Sequence, residues 1–191
     1  MKQIVLAALL LFTPLTYAEL SQQELKQILA PRIEGLLFLT KNSMLLNAVR
    51  DQNRLERSLG DIQAIDKEWI AGTSPLIQEL QDNKPGAFLK NIIVQQSDVY
   101  SEAFLTDEKG ANVAAYPPTS DYWQGDEDKF TKSFANGKGE VFIGKVEMDE
   151  STHANAVQIS VPMMYNDTAV GVLIIGVKVS VLEAEKLKGK K

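Results

Sequence analysis

Apolar residues recur at three- and four-residue steps through the first part of the chain and at two-residue steps further on, so the pattern predicts helices followed by strands. Ser21 and Glu24 stand in capping-box spacing, where each side chain can satisfy an orphan backbone donor at a helix start. Leu25, Ile28, Leu29, Ile33, Leu36, Leu37, Leu45, Ala48 and Val49 then form one stripe, which predicts a long helix reaching roughly to Leu59, kinked near Pro31 and ended by Gly60. Asp61 can cap a second helix over 62–71 that carries Ile62, Ile65, Trp69 and Ile70 on one side. Ser74-Pro75 opens a third helix to about Gln81, Asn83-Lys84-Pro85-Gly86 reads as a turn, and 87–96 suits one more short helix.

From Val99 the period changes. Residues 99–105 and 113–116 are short β-prone runs joined by Asp107-Glu108-Lys109-Gly110, a turn sequence with Asp first and Gly last, which predicts a hairpin. Residues 117–125 are irregular. Asp126 can then cap a helix through Phe130 and Phe134 that stops at Asn136-Gly137. Three more strand runs follow at 141–146, 156–164 and 169–181, with Asn166-Asp167 as the last turn. Segregated helices and an antiparallel sheet indicate an α+β domain, and two strands, a helical crossing and three strands is the plan of PAS-like folds. A pocket is expected between the sheet and the insertion.

Composition narrows the class. With 45% hydrophobic and 24% charged residues in 191, one domain with a sizeable core is expected. The formal charge of −5 and the lack of a basic run, apart from Lys186, Lys188, Lys190 and Lys191, argue against a nucleic-acid partner. Without cysteine there is neither a disulfide nor a thiolate metal site nor a cysteine nucleophile. Lys2, the apolar run over 4–12 and the small residues of Thr16-Tyr17-Ala18 form a signal-peptide pattern, with cleavage expected after Ala18 and export to the periplasm. That run is shorter than the roughly 20 residues of a membrane span, so a retained anchor is the lesser alternative. The expected organisation is a signal peptide over 1–18, a helical segment over 19–98, a sheet with its insertion over 99–182 and a basic tail over 183–191.

Particular residues carry a resemblance. Phe104-Leu105-Thr106-Asp107, Gly110, the stretch 119–127, Val141-Phe142-Ile143-Gly144, Asp149-Glu150-Ser151-Thr152 and Ser160-Val161-Pro162 resemble the extracytoplasmic Cache (PDC-type, PAS-like) sensor domains of bacterial receptors, over about 21–182. The resemblance implies a single Cache domain with a long N-terminal helix and a central five-stranded antiparallel sheet. It also implies a small-molecule pocket lined by Tyr122, Trp123 and Asp126 from the insertion, with Asp149 opposite. Amino-acid-binding members clamp a carboxylate with an arginine in the insertion, whereas the arginines here, Arg32, Arg50, Arg54 and Arg57, all precede it. Lys129, Lys145 or backbone donors would have to neutralise an anion.

Tyr122 and Trp123 offer flat apolar faces with polar tips, suited either to stacking on a ligand or to a core. Asp126 and Glu127 open a helix, where dipole and capping alone explain negative charge. Tyr116, Lys129 and Ser151 complete the expected ligand-binding set. His153, the single histidine, lies two residues from Ser151 on a strand, which does not form the relay of a triad, and Asp149, Glu150 and His153 have no recognised metal-ligand spacing. The reading is a non-enzymatic periplasmic sensory module, without cofactor or metal, that binds a small polar metabolite and presents its state to a membrane-bound receptor, cyclase or transporter. A homodimer through the long helix fits its length. The alternative is a ligand-free protein-protein interaction or structural module of the same fold.

Overall fold

The computed structural model describes residues 20–149 and 154–189, with the backbone alone at Asp149 and Ala154. The expected signal peptide, together with Glu150, Ser151, Thr152 and His153, lies outside the described residues. Five helices come first: α1 (Gln22–Leu39), α2 (Ser43–Asn53), α3 (Leu59–Ile70), α4 (Leu76–Asp82) and α5 (Lys84–Gln95). The hairpin β1 (Tyr100–Thr106) and β2 (Asn112–Tyr116) leads through the insertion to α6 (Asp128–Phe134) and a single 3-10 turn. The chain continues as β3 (Phe142–Asp149), β4 (Ala154–Tyr165) and β5 (Thr168–Lys178) and enters α7 (Val179–Lys188).

The strands form one antiparallel sheet in the order β2-β1-β5-β4-β3, which is the α+β plan the pattern predicts. Its two faces are set by the two-residue period. Leu105, Leu173, Ile175, Val157, Ile159 and Val161 point to one face, where Leu25, Leu29 and Leu36 of α1, Leu45 and Val49 of α2 and Leu89 and Ile93 of α5 close the main core. Phe104, Ala115, Val172 and Ile174 point the other way and pack against Phe130 of α6. A third cluster lies beside the sheet, where Ile62 and Trp69 of α3 and Leu80 of α4 enclose Ala111 and Tyr122.

The long helix is interrupted. The Thr40 hydroxyl turns back to donate to the Leu37 carbonyl at 2.9 Å, and Asn42 starts α2 by accepting from Met44 N at 2.9 Å. A capping residue competes with the helical backbone in this way, and the buried stripe, Leu25, Leu29 and Leu36 in α1, resumes about half a turn out of phase at Leu45 and Val49 in α2. Pro31 sits inside α1. The second helix begins earlier than Asp61: Ser58 is its cap, and Asp61 is the reciprocal partner of a capping box. Asn83 is a cap as well, because its side chain accepts from Gly86 N at 2.7 Å and α5 starts at once where a turn was expected. Residues 179–188, expected as strand end and basic tail, form α7. This helix is held on α1 by a two-bond pair from Arg32 to Glu185 at 2.7 and 2.9 Å and by Lys186 to Glu24 at 2.8 Å. Exposed Glu24 has its carboxyl pulled down to about 2 by Lys186 and by the Ser21 cap.

Candidate functional site

Strand alternation places polar residues on the α6 face as well as apolar ones. Glu102 of β1 and Gln158 of β4 both pair with Gly176 of the strand between them, and the Gln158 amide donates across it to Glu102 Oε1 at 2.7 Å. The glycine is required by this approach, since a Cβ there would stand 2.3 Å from Ser101 Oγ and 3.0 Å from Glu102 Cγ. Glu102 is 2% exposed, so the sheet carries a buried carboxylate on this side. Above it opens a groove of about 670 Å³. Its floor is Glu102, Gln158 and Ala156, one wall is α6 with Asp128, Lys129 and Lys132, and the other is β3 from Phe142 to Met148. Thr119, Ser120 and Asp121 of the insertion form its end, and Gln22 of α1 reaches its rim by donating to the Gly144 carbonyl at 3.2 Å.

The insertion is fixed from behind. Asp66 of α3 accepts from both Tyr122 N and Trp123 N, at 2.8 and 3.0 Å, and Trp69 donates its indole N–H to the Thr119 carbonyl at 2.8 Å. Asn112 of β2 donates to the Thr119 hydroxyl at 2.7 Å, and that hydroxyl donates to the Asp121 carbonyl at 2.6 Å. The turn of the first hairpin closes against the same segment, where Gly110 adopts φ +82° and a Cβ would come 2.5 Å from Gly125 Cα.

Charges in the groove are largely paired along α6. Lys129 binds Glu127 at 2.9 Å and stands 5.5 Å from the centre of the Phe104 ring, while Lys132 binds Asp128 at 2.6 Å and lies 5.1 Å from that of Phe142. The Asp121 carboxylate accepts from the buried Gln124 amide, and among the described residues no cation is in ion-pair contact with it. Burial raises its affinity for a proton above that of an ordinary aspartate, against a smaller opposing effect of the Gln124 bond. Burial raises Glu127 likewise, with Lys129 pulling the other way.

The expected ligand residues are dispersed. Lys129 lines the groove. Tyr122 is fully buried behind it, tilted at 42° to Trp69 with ring centres 5.8 Å apart, and its hydroxyl accepts from Arg57 at 3.1 Å. Trp123 turns its indole N–H to the Lys109 carbonyl at 2.8 Å, away from the groove. Tyr116 pairs with Ala103, joins the main core on the opposite face and lies under Lys90 of α5. Asp126 is exposed, and α6 begins one residue later than expected, with Glu127 at its cap. Asp149 ends β3, its backbone paired with Ala154 two residues beyond the groove-lining Glu147. The groove also recruits Asp121 and Glu127, which belong to the quoted 119–127 stretch but not to the expected ligand-binding set, and Glu102 and Gln158, which the residue types alone did not single out. One signal was available: Glu102, Gln158 and Ser160 interrupt otherwise apolar strand runs at positions that share a face.

No family model matches the chain, and no curated protein matches it. Among solved structures it is similar to the sensor domain of the V. cholerae histidine kinase DctB, with 13% identity and a TM-score of 0.44 over 84% of this chain and 55% of that one. It is also similar to the sensory domain of the Campylobacter jejuni chemoreceptor Tlp3 with isoleucine bound, with 14% identity and a TM-score of 0.42 over 85% of this chain and 65% of that one. The chain thus spans just over half of the first of these and slightly under two thirds of the second. No helix among the described residues is long and apolar enough to cross a membrane. Among the same residues no group of three or more His, Asp and Glu side chains is arranged to hold a metal ion.

Proposed function

We propose that this chain is a Cache-type sensory module that is exported by its signal peptide and works in the periplasm, where it binds a small polar metabolite without transforming it. The observation that carries this reading is the groove: a sheet face that could have been sealed with apolar side chains instead holds a buried carboxylate bonded to a half-buried amide, beneath a helix that supplies two ammonium groups. Burying polar groups is unfavourable unless they are bonded, so a face built this way is shaped for a polar occupant. The occupied state would be presented to a membrane-bound receptor, cyclase or transporter by movement of the groove wall against α1, whose Gln22 touches the rim. Self-association through α1 and α2 would fit the same role. Asp149 and Ser151 are proposed to contact the ligand as well.

A thermal-shift screen of residues 19–191 against organic acids, amino acids, amines and nucleobases tests the reading. A ligand at 100 times its dissociation constant adds about 2.7 kcal/mol, and the shift should disappear in Ser120→Trp, which fills the end of the groove. Silence of folded protein across the whole panel would remove the sensory reading and favour a protein-protein interaction module.

A further inference from the structure

We infer that the groove selects a ligand by a positively charged ammonium group seated on Asp121, and discriminates against ligands whose only charge is a carboxylate. The inference rests on the groove being a ligand site and concerns which ligand enters it. The two ammonium groups of the helical wall are already engaged, Lys129 by Glu127 at 2.9 Å and Lys132 by Asp128 at 2.6 Å. A carboxylate ligand can reach Lys129 only by displacing Glu127. That side chain is partly buried, and losing its partner would leave a poorly solvated anion behind. Lys145 is the remaining ammonium, and it is exposed on β3 at the rim, where water screens it.

Asp121 differs in this respect from Glu127 and Asp128. Asp121 lines the end of the groove, is partly buried, and receives a neutral amide from Gln124 as its hydrogen-bond donor. Its backbone carbonyl already accepts from Thr119, Asn112 and Gln124, so the segment that presents the carboxylate is held in place without the ligand. An ammonium group entering here forms a charge-assisted bond with an acid that is in ion-pair contact with no cation among the described residues, Lys129 acting on it only through space, and disrupts no existing pair. Ala156, Phe142 and Ile143 supply apolar surface beside it for the ligand's hydrocarbon portion.

The test is titration calorimetry on residues 19–191 with matched probes: butylamine against butanoate, diaminobutane against succinate, and butanol as the uncharged member. The amines should bind about tenfold or more tighter than their acid counterparts, the factor a charge-assisted hydrogen bond supplies. Asp121→Asn, which keeps the shape of the side chain, should erase that preference. Glu127→Gln should move it the other way, because it frees Lys129 and lets butanoate and succinate gain about tenfold. Acids binding tighter than amines in the unaltered protein would overturn the inference, as would an amine preference that survives in folded Asp121→Asn. If Asp121→Asn does not fold, the probe preference of the unaltered protein and its shift in Glu127→Gln decide the matter. Binding of an acid or neutral probe that is lost in Lys129→Ala would reject the ammonium rule while leaving the sensory reading intact. If neither these probes nor the wider screening panel binds, both fall.

Discussion

The two faces of the sheet are made by the same strands and have opposite characters. On β1, β4 and β5 the buried apolar residues turned toward α1, α2 and α5 are Leu, Ile, Val, Ala and Met, while those turned toward α6 include Glu102, Gln158, Ser160 and Thr106 between Phe104, Val172 and Ile174. The first face is a close-packed interior. The second is apolar under α6 and polar where the helix stands away from the strands, and there the groove opens. Stability and recognition are therefore separated by a period of two residues, and a change on either face should report on one property and largely spare the other.

The sharpest test of that separation is Leu173→Ala. Leu173 is 1% exposed and pairs with Leu105 and Val161 at the centre of the dry face. Its truncation should lower stability by about 2–5 kcal/mol in urea denaturation, with ligand affinity of the folded fraction unchanged. A large change in affinity with little loss of stability would show that the faces are not separable.

A second test addresses the wall behind the groove. Burial pushes the Tyr122 phenol up to about 12, against a smaller opposing effect of Arg57. The fold favours the neutral phenol, so its contribution, up to about 3 kcal/mol, is complete below pH 10 and is lost as pH rises through about 12. Denaturation curves between pH 9 and 12 should fall accordingly, and fall less in Tyr122→Phe. Equal slopes in both proteins would mean that the phenol is solvated and the wall loose.

The smallest effect is expected at Ser160, on the groove side of β4. Its hydroxyl is fully buried with no hydrogen-bond partner among the described residues. Ser160→Ala should leave stability unchanged or raise it by about 1 kcal/mol, since an unsatisfied buried hydroxyl is itself a cost. A clear loss in thermal denaturation would show that this hydroxyl is bonded in solution, and that polar contacts on this face extend beneath the groove.

The sheet was legible because strand period and turn chemistry are local. Asn166 and Asp167 both adopt positive φ, 47° and 61°, as residues of this type in a two-residue hairpin turn do. The break between α1 and α2 was read over, because Thr40 and Asn42 redirect the backbone over only a few residues and three- and four-residue steps persist on both sides, although the half-turn slip between Leu36 and Leu45 marked it. Nor was α7: Val179, Val181 and Leu182 read as a continuing strand, and the contacts that fix the helix, from Arg32 and Glu24, come from the opposite end of the described chain. At the site, the insertion was found as a segment, and of its named residues Lys129 alone lines the groove. Tyr122 and Trp123 are the conspicuous side chains there, but Asp66 and Trp69 of a distant helix anchor the loop, and only that packing determines that Asp121 and Lys129 face the groove.

The chain has two tryptophans, and both are tied into the walls of this one site. Trp69 donates its indole N–H to the carbonyl of groove-lining Thr119, and Trp123 closes against the backbone of Lys109 beside the same loop. Tryptophan emission therefore arises from α3 and from the 119–125 loop, beside the end of the groove. The unlabelled protein carries its own optical reporter, in which a ligand docked against residues 119–121 alters emission under excitation selective for tryptophan, to which the sheet core, packed without tryptophan, contributes nothing.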